Sequence, residues 1–71
     1  MPHKREWLKE LRELQGYSMN GVAREVDITQ QFYWYIETGR RRPSPELAQK
    51  IAKLLGFDWK LFFENQEIKE E

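Results

Sequence analysis

Thr29-Gln30-Gln31-Phe32-Tyr33-Trp34-Tyr35-Ile36-Glu37-Thr38-Gly39 is the stretch on which the fold turns. The run from Phe32 to Ile36 is aromatic and β-branched, and such residues favour a strand. A lone strand needs a partner, however, and no second run of this kind exists in the chain. A helix over Gln30–Glu37 has a capping hydroxyl before it at Thr29 and a terminating glycine after it at Gly39. The helix satisfies the signals on both sides, so the expectation is an all-α protein.

Outward from that helix the chain continues in the same style. Asp27-Ile28-Thr29 reads as a tight turn, preceded by a second helix that Ser18 caps and that carries Val22, Ala23 and Val26 on its apolar side. Residues 3–15 place Trp7, Leu8, Leu11 and Leu14 as one helix face, with Lys9, Glu10, Arg12 and Glu13 between them for the wet face. Gly16 ends that helix. Downstream, Arg40-Arg41-Arg42-Pro43 is a basic loop stopped by proline. Ser44-Pro45-Glu46 is a helix start: a capping hydroxyl, proline in the first turn and an acid near the positive dipole end. Leu47, Ile51, Leu54 and Leu55 form the apolar stripe of this fourth helix, and Gly56 closes it. Asp58 can cap a fifth, with Phe57 and Phe62 placed as a hydrophobic staple. Five helices over residues 1–63 and an acidic, frayed tail over residues 64–71 are therefore expected.

Seventy-one residues suffice for one domain. The absence of cysteine removes disulfides and thiolate metal sites. No apolar run approaches the roughly 20 residues that cross a membrane, and the charged start lacks a signal-peptide stretch. A soluble, cytoplasmic protein is expected. The single histidine is His3, and no nucleophilic cysteine or glycine-rich phosphate loop exists. The carboxylates alternate with Lys and Arg as solvated faces do. The expectation is no enzyme, no cofactor and no metal.

Net charge is zero, which by itself argues mildly against a nucleic-acid partner. The distribution softens that argument. Residues 1–43 hold 8 Lys and Arg against 6 Asp and Glu, whereas residues 44–71 hold 4 against 6. Arg40, Arg41 and Arg42 concentrate the positive charge, and a local patch can bind phosphate on a neutral molecule.

The chain of signals Ala23, Ile28, Ile36-Glu37, Gly39, Arg41 and Pro43-Ser44, then Leu47, Ile51-Ala52, Leu55-Gly56 and Leu61-Phe62, resembles the Cro/repressor-type (Xre-type) helix-turn-helix family. Phe32-Tyr33 and the ending Phe57-Asp58-Trp59-Lys60-Leu61-Phe62-Phe63 look like small repressors of Gram-positive phages and mobile elements. The resemblance implies a five-helix, lambda-repressor-like DNA-binding domain whose third helix enters the major groove. It makes Gln30 and Gln31 base-contacting residues, and glutamine's adjacent donor and acceptor match adenine N6 and N7.

The same resemblance implies that Tyr33 and Ile36 are core. Tyr35 and Trp34 then face either base edges or, alternatively, the first helix or a partner subunit. Phosphate contacts fall to Arg40, Arg41 and Arg42, to Thr29, and to Ser18, Asn20 and Ser44 at helix starts. Arg12 and Glu37 match a structural ion pair between the first and third helices. A homodimer on a palindromic operator is implied, with Trp59, Phe62 and Phe63 at the two-fold interface. Three positions depart from the family pattern. Met19 stands where many members carry Gln, Gly21 lies inside the second helix, and Asp27 holds a turn position usually given to glycine. The competing reading is a protein-binding adaptor, antitoxin-like or anti-repressor, that uses the same fold to hold a regulatory protein partner.

Overall fold

A computed structural model describes residues 4–64. His3 and residues 65–71, most of the expected acidic tail, lie outside the described residues. The chain forms α1 (Glu6–Leu14), α2 (Met19–Glu25), α3 (Gln30–Glu37) and α4 (Pro45–Leu55). A fifth helical segment, α5, follows over 61–64. There is no strand among the described residues, and none of their helices is long and apolar enough to cross a membrane.

Hydroxyl caps start three of the helices. Ser18, Thr29 and Ser44 each accept a hydrogen bond from the backbone N–H three residues on, at 2.9, 3.0 and 3.1 Å. Each cap satisfies a donor that would otherwise lack a partner within the helix. Gly21, inside α2, is explained by the first of them. A Cβ there would come within 3.2 Å of Ser18 Oγ and 3.3 Å of the Tyr17 ring, so the small residue admits the cap.

The α2–α3 turn is a Schellman closure with an unusual residue in it. Asp27 adopts φ 65, and the Ile28 N–H reaches back to the Ala23 carbonyl at 2.9 Å. Left-handed backbone strains an L residue, and the short polar side chain of Asp tolerates it better than most. This turn sets the angle between α2 and α3, the most closely packed helix pair.

The core unites all five segments. Leu8, Val22, Ala23, Val26, Tyr33, Ile36, Ala48, Ile51, Leu55 and Phe62 form one buried cluster. At its edge Trp7, Phe57 and Phe62 meet edge to face, with centroid separations of 5.2 to 5.5 Å. The Phe57–Phe62 staple thus ties α5 to α1.

Two expectations need correction. Leu14 is 80% exposed rather than part of the buried face. The inner face of α1 is centred on Leu8 and the buried Arg12, which turns Leu14 outward. The helix also begins at Glu6 and not at residue 3. Arg5 before it is committed elsewhere, its N–H donating to the Glu37 carbonyl at 2.9 Å.

Candidate nucleic-acid interface

Helix α3 is fixed from behind by a buried polar network. Arg12 grips Glu37 with two bonds, Nε to Oε2 at 2.8 Å and Nη2 to Oε1 at 3.1 Å. Its Nη1 donates to the Tyr17 carbonyl at 3.0 Å, and the Tyr33 hydroxyl donates to Glu37 Oε2 at 3.0 Å. Both charged side chains are below 10% exposed, and such burial is tolerable only with the partners satisfied. The Glu37 hydrogen bond raises the Arg12 guanidinium's affinity for its proton, against the opposing effect of burial. Burial first, then Glu37, pushes the Tyr33 phenol far above its ordinary range. The network joins α1, the α1–α2 connection and both ends of the last turn of α3.

A second brace was not legible in the sequence. The buried Arg5 guanidinium donates to the Ile36 carbonyl and, at 3.3 Å, to the Arg41 carbonyl, and it lies 5.5 Å from the centre of the Phe62 ring. Desolvation, and next the like charge of Arg42, lower its pKa. Its partners are main-chain oxygens 31 and 36 residues away, which no local pattern announces.

With its inner side held, α3 turns Gln30, Gln31 and Trp34 outward, Trp34 at 38% exposure, and leaves Tyr35 half-buried. The Gln31 amide donates to the Tyr35 hydroxyl at 3.1 Å, one turn along. Beyond α3 the chain reverses at Gly39, φ 84, and the N–H groups of Arg40 and Arg41 both return to the Tyr35 carbonyl. The arginines therefore fold back over the helix. Arg40 stacks on Trp34 at 4.9 Å and Arg41 on Tyr35 at 5.8 Å. Arg42 is exposed.

The structure thus brings Gln31, Trp34, Tyr35, Arg40 and Arg41 into one outward-facing group. Thr29 joins it at the rim of a shallow depression shared with Gln31, Phe32, Tyr35 and Arg41. Ser18, Asn20 and Ser44 are exposed at the starts of α2 and α4. The arginine–aromatic stacking could not be read from residue spacing, because it depends on how the chain turns at Gly39. Met19 is half-buried against the core. Phe62, expected at a two-fold interface, is 1% exposed and belongs to the core, so it offers no surface to a partner. Trp59 and Phe63 stay half-buried, in edge-to-face contact at 5.8 Å. Among the described residues no three His, Cys, Asp or Glu side chains cluster as a metal site requires.

Two helices joined by a tight turn, with the second held from behind and its polar end exposed, define a helix-turn-helix unit. The helix-turn-helix (HTH_3) family model matches residues 8–62, and the chain belongs to that family. It is 43% identical over 61 residues to an uncharacterized HTH-type transcriptional regulator, YqaF, of Bacillus subtilis (strain 168), covering 86% of this chain and 80% of the relative. It also resembles the crystal structure of an HTH_3 family transcriptional regulator from Vibrio cholerae, with a TM-score of 0.67 and 30% identity. That match covers 86% of this chain but spans only 34% of the Vibrio chain. The fold and the family model make the protein a helix-turn-helix protein, similar to proteins named as transcriptional regulators.

Proposed function

We propose that the chain is a sequence-specific double-stranded DNA-binding repressor, without catalytic activity, that lays α3 in the major groove. The observation that carries this reading is the group on the outer side of α3, where Gln31 shares a shallow depression with Arg41, Arg40 lies over Trp34, and Gln30 is exposed at the helix start. A major groove accepts one α-helix and presents a distinct donor and acceptor pattern for each base pair. Gln30 and Gln31 read base edges, and Tyr35 and Trp34 complete the reading face. Arg40, Arg41 and Arg42 contact phosphate together with Thr29, Ser18, Asn20 and Ser44, whose hydroxyls or amides sit at helix starts where backbone N–H groups favour anions. Trp59 and Phe63 form the two-fold contact of a homodimer on an inverted repeat.

The salt dependence of binding tests this reading. Log affinity for duplex DNA falls linearly with log salt, with a slope of about −0.9 per phosphate neutralised. Arg41→Ala weakens all sequences alike and makes the slope shallower by about one, whereas Gln30→Ala costs about 1–3 kcal/mol on the preferred site and relaxes one base pair. Identical behaviour of the two variants contradicts the division into anchors and readers. Zero net charge and the exposed Trp34 favour a second reading, an antitoxin-like or anti-repressor adaptor. Weakly salt-dependent association with a protein, and none with DNA, is the result that selects it.

A further inference from the structure

We infer that Gln31, Tyr35 and Arg41 act as one preassembled unit in which Tyr35 positions the Gln31 amide for base reading. This deepens the DNA-binding proposal and rests on it. Gln31 Nε2 donates to Tyr35 Oη at 3.1 Å, which engages one amide hydrogen. The second amide hydrogen and Oε1 remain, the pair that matches adenine N7 and N6. A glutamine free in solution must give up side-chain freedom on meeting a base, whereas Gln31 has surrendered part of it beforehand.

The support for Tyr35 extends inward. Its ring lies 5.8 Å from the Arg41 guanidinium, and its carbonyl accepts the Arg41 N–H at 3.2 Å. The Arg41 carbonyl in turn accepts from the buried Arg5. Base reader and cationic side chain are thus separated by one aromatic ring, whose position is tied to the core. The described hydrogen bonds include none from the Gln30 side chain, so the inference assigns the sharper base preference to Gln31.

Tyr35→Phe in the full chain keeps the ring for Arg41 and removes only the hydroxyl. The test is selection from a randomised duplex pool with wild type, Gln31→Ala, Tyr35→Phe and the double variant, each first shown folded by its thermal melt. The expected result is a base preference weakened by about two- to tenfold in Tyr35→Phe. The loss falls at the same base pair that Gln31→Ala relaxes, and the double variant is no worse than Gln31→Ala. Losses at two different base pairs that add in the double variant overturn the inference, because Tyr35 then acts independently of Gln31. An unchanged preference in Tyr35→Phe overturns it as well, with DNA reading left standing. A folded wild type that enriches no sequence overturns the DNA reading and this inference together.

Discussion

The Arg5 guanidinium donates to the Ile36 main-chain carbonyl, so a buried charge ahead of α1 closes the last turn of the helix that displays the glutamines. A cation at a helix C-terminus meets unsatisfied carbonyls and the negative end of the helix dipole. Here it also holds the Arg41 carbonyl, at the root of the basic loop. Helix α3 is therefore clamped at one end by two arginines that reach it from the opposite ends of α1: Arg5 takes main-chain oxygens and Arg12 takes the Glu37 carboxylate.

Arg5→Met leaves two carbonyls without this donor. The expected loss is about 1–3 kcal/mol of stability, with Arg5→Lys restoring part of it. In a domain of this size each kcal/mol moves Tm by about 4–8 °C, so thermal denaturation followed by circular dichroism resolves the change. A methionine variant that melts with wild type would show that the clasp contributes nothing.

Arg12→Ala strands the buried Glu37 and its Tyr33 partner, and is expected to cost about 3–5 kcal/mol. Replacing both Arg12 and Glu37 by methionine removes the stranded charge along with the pair. The double variant is therefore expected to be more stable than Arg12→Ala in urea denaturation. The opposite order would contradict a cost that arises from an uncompensated charge.

How much of this was visible in residue order differs by scale. The caps at Ser18, Thr29 and Ser44 were legible because their acceptors and donors lie three residues apart. Thr29 and Gly39, with no partner strand in the chain, also decided for helix at Phe32–Ile36 against local strand preference. Leu14 was misassigned because periodicity counted only apolar residues, while the inner face of α1 includes charged Arg12. Phe62 was placed outside for the complementary reason, since a small core absorbed more aromatic surface than the pattern implied. Arg5 and the stacked Arg40 and Arg41 depend on contacts across the fold and on the reversal at Gly39. The exposed side of α3 was legible as a set of residues, but not as a set of contacts.

Asp27 carries backbone strain at φ 65. Asp27→Gly is expected to stabilise the fold by about 0.5–1 kcal/mol, the relief of left-handed strain outweighing glycine's greater freedom when unfolded. Asp27→Val, β-branched at the same φ, is expected to destabilise. Chemical denaturation of the three proteins reads the series, and a valine variant equal to glycine would remove strain from the explanation.

Alkaline pH tests the Tyr33 contact. Its phenol is held protonated in the folded state, with a pKa raised above that of the unfolded chain. The stability this contributes is fully present below the ordinary tyrosine pKa of about 10 and falls as pH rises past it, because the unfolded state then releases a proton that the folded state keeps. Tm is expected to drop more steeply between about pH 9 and 11 in wild type than in Tyr33→Phe. Parallel curves would place the alkaline transition elsewhere.

The central claim, that α3 reads DNA sequence, is tested most directly by selecting purified, folded protein against a random duplex pool at near-physiological salt. The predicted result is enrichment of an inverted repeat with half-sites about one helical turn apart. Recovery of no preferred sequence from folded protein would contradict the claim and transfer the exposed side of α3 to a protein partner.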